Sequence, residues 1–348
     1  MKAVRVVRHG DPREVVEVGD VEAPDPGPHE VRVAVGAASV NFGDIARARG
    51  GVASVMGQPP FTLGMDMCGV VDVAGEGAEH WVGRRVVAVA KQSLGGMAEF
   101  AIAQTTGVFD APPELDDAQA AAFLLPFHTG YLALHERAHL QSGEVLLVVG
   151  GATGVGTSVV QLGVAAGARV IAIAGGPEKG RLCTQLGAEA AIDYHTEDIF
   201  DRLMGLTSGH GADVACDMVG GEQTESIWTC MAHGGRYVPV GFNDDEQSGL
   251  TGRPLRKVST GNFSVVGVVM AYADLPVEFR RFGLNPFPLG TGRRVHAALQ
   301  QLVSAGRIRP AIGRRISMAD VAESLEDHAA RRTSGRTVVE IAPSADNR

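Results

Sequence analysis

The sequence predicts an α/β protein in which a doubly wound parallel sheet is inserted between two segments of a β-rich domain. Strand-like and helical runs alternate from about residue 145 to residue 240, which is typical of a parallel sheet with crossover helices. The first 110 residues instead contain short β-branched runs separated by Gly and Pro. We place the segments at 1–124, 125–262 and 263–348, with the first and last forming one domain.

Local signals predict the elements in chain order. Early strands are expected in "MKAVRVV", "EVVEVGDVEAP", "EVRVAVGAASV", "CGVVDVAG" and "RRVVAVA". A helix-forming stretch then runs from Asp117 to Leu140, and Pro126 should break it. The alternation begins at "EVLLVV" and continues through "GRYVPVG". The tail predicts a strand in "FSVVGVVM", a helix in "VHAALQQLVSAG", a capping box at Ser317 and Asp320, and a last strand in "RTVVEI".

Composition and charge exclude several classes of protein. The 348 residues are 45% hydrophobic and 20% charged, as in a globular chain. The net charge of −9 provides no basic field, so neither nucleic acid nor a membrane surface is an expected partner. No stretch has the pattern of a signal peptide or a membrane span, which favours the cytoplasm. The four cysteines are scattered without a Cys-x-x-Cys pair, so no zinc ribbon or disulfide scaffold is predicted.

A glycine-rich turn in "LLVVGGATGVGTSVVQLG" joins a buried strand to a helix. Glycines let backbone N–H groups approach phosphate, and the helix N-terminus favours negative charge, so Gly151, Gly154, Val155 and Gly156 are candidates for binding a pyrophosphate. Thr153 stands where the usual Gly-x-Gly-x-x-Gly pattern has its second Gly, and a purely structural turn is the alternative. The spacing also fits short-chain dehydrogenases, but no Tyr-x-x-x-Lys motif accompanies it.

The end of the next strand distinguishes two cofactors. NAD-binding proteins commonly carry an acidic residue there, which accepts the ribose hydroxyls. This chain has Gly175 and Gly176, followed by Lys179 and Arg181, and such cations suit the extra phosphate of NADPH. The alternative is an exposed helix start with no ligand.

Several motifs, in order, resemble one family over nearly the whole chain. They are "SVNFGDIARARG", "LGMDMCGVVDVAGEG", "GGMAEFAIA", "LPFHTGYLAL", "GGATGVG", "LGAEAAIDY" and "SGRTVVEI". The sequence resembles the medium-chain dehydrogenase/reductase superfamily, and in particular its zinc-free quinone oxidoreductase branch with the zeta-crystallin-like proteins. The resemblance implies a GroES-like catalytic domain around a Rossmann domain that binds NADPH, an active site in the cleft between them, and a homodimer.

The resemblance also implies roles for individual residues. Asn41 and Thr129 should border the nicotinamide, unless they only form turns, and Lys179 with Tyr194 should hold the adenosine phosphate, unless Tyr194 only ends a strand. Four further positions should lie along the cofactor: Gly220, Gly241, Phe242 and Arg336.

No metal site is expected. Zinc enzymes of the superfamily have Cys near the position of Phe42 and Gly-His-Glu where this chain has Gly64-Met65-Asp66. A protease-like His-Glu-x-x-His pattern occurs at His135, Glu136 and His139. It lacks a third ligand at the expected spacing, so we interpret it as a chance match with solvent-facing histidines.

The expected reaction is hydride transfer from NADPH to a small-molecule electron acceptor, either a quinone or an α,β-unsaturated carbonyl. Asn41, Asp44 and Tyr131 are the catalytic candidates, although Asp44 could simply cap a helix. The segment "FRRFGLNPFPLGTGRR", with Phe279, Phe282, Phe287, Arg293 and Arg294, could cover an apolar acceptor or bind a CoA phosphate, or be a plain surface loop. An enoyl-thioester reductase is therefore one alternative, and an NADPH-binding structural or regulatory protein without turnover is another.

Overall fold

A computed structural model describes residues 1–51, 58–241, 256–283 and 285–341. Phe242 lies outside these ranges, as does the side chain of Phe282.

The strands are β1 (Lys2–Val6), β2 (Val16–Asp20), β3 (Glu30–Ser39), β4 (Phe61–Thr62), β5 (Asp66–Ala74), β6 (Arg85–Val89), β7 (Phe100–Gln104), β8 (Val108–Asp110), β9 (Val145–Val149), β10 (Arg169–Ala174), β11 (Ala190–Asp193), β12 (Ala212–Asp217), β13 (Met231–Pro239), β14 (Ser264–Val265), β15 (Ile312–Ile316) and β16 (Arg336–Glu340).

The α-helices are α1 (Pro12–Val15), α2 (Phe42–Arg49), α3 (Asp117–Ala121), α4 (Leu124–Tyr131), α5 (Gly154–Ala165), α6 (Pro177–Gln185), α7 (Ile199–Thr207), α8 (Thr224–Thr229), α9 (Arg256–Gly261), α10 (Leu289–Ser304) and α11 (Val321–Ala329), and a π-helical turn, Leu132–Arg137, continues α4. Within the described ranges, every helix is too short or too polar to span a bilayer.

Six strands form a parallel sheet in the order β11-β10-β9-β12-β13-β14. The chain enters at the centre, builds outward on one side and then on the other, which is the doubly wound order of a Rossmann domain. All five residues of the central strand β9 are buried, because helices cover both faces of such a sheet. On one face, α5 approaches closely enough that a Cβ on Gly163 would lie 2.4 Å from Leu146 Cδ2.

A second, mostly antiparallel sheet has the order β15-β16-β3-β5-β6-β8, with β7 also paired to β3. Its strands come from both ends of the chain, and β16 pairs with β3 so that Val338 faces Ser39. This arrangement confirms the predicted fold class: a parallel-sheet domain is inserted in a β-rich domain. The parallel sheet reaches Val265 through β14, slightly beyond the sequence boundary at 262.

Local chemistry explains where the elements differ from their sequence expectations. Glu14 and Val15, the first two residues of a predicted strand, belong instead to the short helix α1, because Asp11 caps Arg13 N and Pro12 suits a first helical position. The helix-forming stretch is divided in two as predicted, since α3 ends at Ala121 and α4 begins at Leu124, which leaves Pro126 in the first turn of α4, where a missing N–H costs nothing. The capping box at Ser317 and Asp320 is present.

A chain of buried hydrogen bonds joins the two domains. Tyr272 Oη lies 2.8 Å from His128 Nδ1, His128 Nε2 lies 3.1 Å from His296 Nδ1, and His296 Nε2 lies 2.8 Å from the carbonyl oxygen of Asp110. A carbonyl only accepts, so each proton has one place: Tyr272 donates to His128, His128 to His296, and His296 to Asp110. This assignment satisfies every nitrogen of both imidazoles while they are neutral.

This network should make stability depend on pH. Burial holds the pKa of His128 well below its usual value of 6.5, with His296 adding to the effect, and burial also lowers the pKa of His296. The unfolded chain therefore binds protons first as the pH falls, so this stabilisation is present above about pH 6.5 and is lost below it. We expect the urea midpoint to fall between pH 7 and pH 5, and to fall less in His128→Leu. The control is the exposed histidine variant His233→Leu, which should keep the wild-type slope; an unchanged slope in His128→Leu would contradict the assignment.

Candidate active site

The residues predicted to hold a cofactor gather at one edge of the parallel sheet. Gly151, Gly175, Tyr194, Gly220 and Gly241 each follow the carboxyl end of a strand, in turn β9, β10, β11, β12 and β13. In open α/β sheets this edge is where ligands bind, at the point where the strand order reverses.

The glycine turn after β9 is tight enough to exclude side chains. A Cβ on Gly156 would lie 2.1 Å from the carbonyl oxygen of Gly150, and one on Gly151 would lie 2.8 Å from Ala172 Cβ. Thr153 caps α5, with Oγ1 accepting from Gly156 N at 3.1 Å and donating to Gly150 O at 2.8 Å. The first-turn N–H groups of Gly154 and Val155 have no partner inside the helix, by the geometry of helix ends, and so are available to an anion.

A buried ion pair lies against this turn. Arg336 Nη2 is 3.2 Å from Asp66 Oδ2, and the two side chains are 6% and 0% exposed. Arg336 also packs on the helix start, since a Cβ on Gly154 would lie 2.7 Å from its Cδ. Its Nε is buried and has no hydrogen-bond partner among the described residues. A donor left open beside a phosphate-binding turn fits a bound diphosphate.

Asn41 completes this cluster, and its amide is fully used. Nδ2 donates to Asp66 Oδ1 at 2.7 Å and to the carbonyl oxygen of Ser39 at 3.2 Å, while Oδ1 accepts from Arg336 Nη1 at 3.0 Å. Both amide hydrogens therefore have partners. In this arrangement Asn41 aligns Arg336 and Asp66 and does not itself offer a donor to a substrate.

Asp44 is enclosed at the start of α2. Its Oδ2 accepts from Asn41 N at 2.9 Å and its Oδ1 from Gly64 N at 3.3 Å, and the residue is completely buried. Burial raises the pKa of Asp44 to about 6, against the opposing effects of these hydrogen bonds and of Arg47. The contacts are those of a helix cap, the second of the two roles that the sequence leaves open.

Helix α4 carries the other candidates. Thr129 is buried beside His128, while Tyr131 is half-buried at the end of the helix with its ring 4.4 Å from that of His135. Burial raises the pKa of Tyr131, and Glu136 adds to the shift. The structure thus separates the catalytic candidates into two groups. Asn41 and Asp44 lie in the Arg336 cluster, whereas Tyr131 lies beside the π-helical turn.

Cationic side chains lie beyond β10, the second strand of the parallel sheet along the chain. Lys179 Nζ donates to the carbonyl oxygen of Arg331 at 2.6 Å, and burial, then Arg331, lowers the pKa of Lys179. Tyr194 is half-buried, and its Oη would lie 2.8 Å from a Cβ on Gly175. Arg181 is exposed and lines a shallow cavity of about 300 Å³ with Gly180 and other residues of α6 and β11.

Asp217 shapes the edge at β12. It is buried, accepting from Val219 N and Gly220 N through Oδ1 and from Tyr237 Oη through Oδ2. Gly220 has a φ of 68°, which favours glycine, and a Cβ on Gly241 would lie 1.9 Å from the carbonyl oxygen of Met218. Both glycines are therefore required for the close approach of these loops.

The side chains at the positions of the zinc ligands of related zinc enzymes are not suited to binding zinc. Phe42 and Met65 have no nitrogen or thiolate to offer, and Asp66 is already paired with Arg336. His135 is half-buried rather than solvent-facing as predicted, His139 lies beyond the helix with a φ of 50°, and Glu136 forms a bidentate pair with Arg294 at 2.8 and 3.0 Å. Within the described ranges, no three His, Cys, Asp or Glu residues are grouped to hold a metal.

Sequence reasoning missed two features of the site. Asp66 figured only as a replaced zinc ligand, although it anchors Arg336 and Asn41. The His128, His296 and Tyr272 network gave no signal, since its members are up to 168 residues apart.

Comparisons with known proteins agree with this geometry. The protein-family model described as zinc-binding dehydrogenase matches residues 154–282. A second family model, described as alcohol dehydrogenase GroES-like domain, matches residues 27–113. A quinone oxidoreductase from Pseudomonas aeruginosa is 32% identical over 341 residues, covering 97% of this chain and 99% of its own. A phthioceranic/hydroxyphthioceranic acid synthase from Mycobacterium bovis is 32% identical over 289 residues, 82% of this chain and 13% of the synthase.

Among solved structures, a mycobacterial protein complexed with NADPH has a TM-score of 0.84 and 25% identity, covering 98% of this chain and 100% of its own. Fold, site and matches together define a medium-chain dehydrogenase/reductase. Within that superfamily the chain belongs to the quinone oxidoreductase branch. It is an oxidoreductase with a site for a nicotinamide cofactor.

The Asp66 pair allows a direct test of the cluster. Asp66→Ala leaves the Arg336 cation buried without its partner, a change that costs about 3–5 kcal/mol. We expect the free energy of unfolding in urea to fall by that amount. Asp20→Ala is the matched control, because it breaks a pair with Lys2 in which both side chains are more than half exposed. Equal stability of the two variants would contradict a central role for Asp66.

Proposed function

We propose that the protein is a zinc-independent, NADPH-dependent reductase that transfers a hydride to a quinone or to an α,β-unsaturated carbonyl. The observation that carries the proposal is the Arg336 cluster. The guanidinium of Arg336 neutralises Asp66, and its Nε, which has no hydrogen-bond partner among the described residues, lies beside the glycine turn. A cytoplasmic location is part of the proposal.

Different residues at the edge of the parallel sheet would bind different parts of the cofactor. Gly154, Val155 and Arg336 would hold the diphosphate, and Lys179 with Tyr194 would hold the 2′-phosphate. Of the four lysines, Lys2, Lys91 and Lys257 each pair with a carboxylate. Lys179 forms no such pair among the described residues and bonds a backbone carbonyl instead. Its charge is therefore available to an anionic ligand.

NADPH supplies the hydride when bound, and the chain's own contribution is positioning and electrostatics. Asn41 and Asp44 use their polar atoms inside the fold. Tyr131 is half-buried, with its pKa raised, so its hydroxyl keeps its proton at neutral pH. We infer that water supplies the final proton.

A second candidate function is reduction of an enoyl thioester. The synthase relative supports it, together with the exposed side chains of Phe279 and Arg293 near the start of α10. Arg294 is bound to Glu136, so Arg293 would have to supply most of the charge for a CoA or carrier phosphate. A third candidate, an NADPH-binding regulatory protein without turnover, shares the same cofactor site.

The proposal includes a homodimer formed at β14. This strand ends the order of the parallel sheet, so its outer edge has no partner strand within the described ranges. The chain after it exposes apolar side chains at Val269 (61%), Leu275 (41%) and Val277 (63%). An open edge beside an apolar surface suits a second copy of the same edge, because a two-fold axis brings identical patches together.

The cofactor assignment is tested by binding and then by turnover. Lys179→Ala should raise the Kd of NADPH about tenfold or more and leave that of NADH unchanged, because only NADPH carries the 2′-phosphate. Fluorescence titration measures both, with Lys2→Ala as the control. Loss of NADPH absorbance with quinones, enones and enoyl thioesters then identifies the acceptor. Equal affinity of the wild type for both cofactors would refute NADPH specificity, and binding without turnover on every acceptor would favour the regulatory role.

A charged side chain introduced into the proposed interface tests the dimer. Val269→Asp should change the mass in light scattering from twice to once the chain mass of 36.3 kDa, because a carboxylate cannot be buried in an apolar interface without a partner. Val82→Asp, at an exposed valine of the β-rich domain (52%), should remain dimeric. A monomeric wild type, or a dimeric Val269→Asp variant, would count against this interface.

A further inference from the structure

Two aromatic side chains close over Gly175, directly after β10. A Cβ on Gly175 would lie 2.7 Å from His195 Nε2 and 2.8 Å from Tyr194 Oη. The two rings contact each other, with their centroids 4.2 Å apart. The imidazole nitrogen and the phenol oxygen therefore converge on the same short stretch of backbone at the end of β10.

The backbone holds His195 in this place. Asp193 Oδ1 accepts from Gly176 N at 3.0 Å and from His195 N at 3.1 Å, so one carboxylate oxygen fastens the loop after β10 to the loop after β11. These two hydrogen bonds lower the pKa of Asp193. The backbone of His195 is thus fixed by the fold, and its exposed ring rests against that of Tyr194.

The surroundings of this ring favour an anion. Lys179 lies in the first turn of α6, directly after the loop that follows β10, and in the described part of the chain it bonds the carbonyl oxygen of Arg331 and has no carboxylate partner. A lysine without a carboxylate partner is available to an anionic ligand. In the described residues the His195 ring makes no hydrogen bond that would compete for this ligand.

We propose that His195 is a further specificity-determining residue, donating from Nε2 to the 2′-phosphate of bound NADPH beside Tyr194 and Lys179. This inference rests on the proposed NADPH-dependent function. A hydrogen bond to a phosphate fixes the tautomer, with the proton on Nε2. The phosphate that accepts this hydrogen bond is present only on NADPH, so the bond should contribute to discrimination against NADH and little to binding of the rest of the cofactor.

The experiment compares 2′,5′-ADP with 5′-AMP, which differs from it only by the 2′-phosphate, as calorimetric ligands of the purified full-length chain, so that turnover is not needed. His195→Phe keeps a ring against Tyr194 and removes the donor, while His195→Gln keeps a donor. His233→Phe is the matched control at another exposed histidine. We expect the wild type to prefer 2′,5′-ADP, and His195→Phe to reduce that preference about tenfold, the usual effect of one charge-assisted hydrogen bond. His195→Gln and His233→Phe should stay within about threefold of the wild type, which is less than one such bond.

The other outcomes separate the two proposals. A wild type without any preference for 2′,5′-ADP would overturn NADPH specificity and the role of His195 with it. A wild-type preference that survives in His195→Phe would overturn only the role of His195. Equal weakening of both ligands in His195→Phe, or equal loss in the Phe and Gln variants, would show that the residue shapes the loop and does not donate to phosphate.

Discussion

The buried pair of Arg336 and Asp66 is the interaction on which the arrangement of the site depends. Arg336 comes from the last strand, Asp66 and Asn41 from the first segment, and Gly154 from the inserted domain. A guanidinium with almost no exposure must find charge and hydrogen-bond partners inside the protein, and Asp66 with Asn41 provides them. Satisfying this one cation brings all three segments of the chain together at the phosphate-binding turn.

The same pair determines the charge balance of the site. A buried carboxylate such as Asp66 needs a compensating positive charge, which Arg336 supplies. Burial raises the pKa of Asp66, and Arg336 and Asn41 oppose that shift. A planar guanidinium offers directional donors, whereas zinc would act as a Lewis acid. The donors of Arg336 are therefore suited to binding and orienting anionic groups.

Features specified by neighbouring residues were predictable from sequence, and features made by distant partners were not. The glycine turn, the helix after it and the cap at Ser317 and Asp320 depend on residues within a few positions, so the pattern predicts them. The break before α4 was predictable as well, because Pro126 prevents the preceding helix from continuing through it. Asp66 and His195 were missed as site residues because their meaning comes from atoms brought close only by the fold.

The His-Glu-x-x-His pattern also shows that distant partners determine the role of a local motif. Its spacing is right for a metal site on an α-helix, but residues 132–137 form a π-helical turn that ends before His139. Glu136 is bound to Arg294, 158 residues later in the chain, and burial lowers the pKa of His135. A histidine next to an engaged carboxylate and an apolar surface remains neutral and packs as an aromatic ring. The motif thus serves to attach α10 to the end of α4, and the buried hydrogen bond between His128 and His296 joins the same two helices.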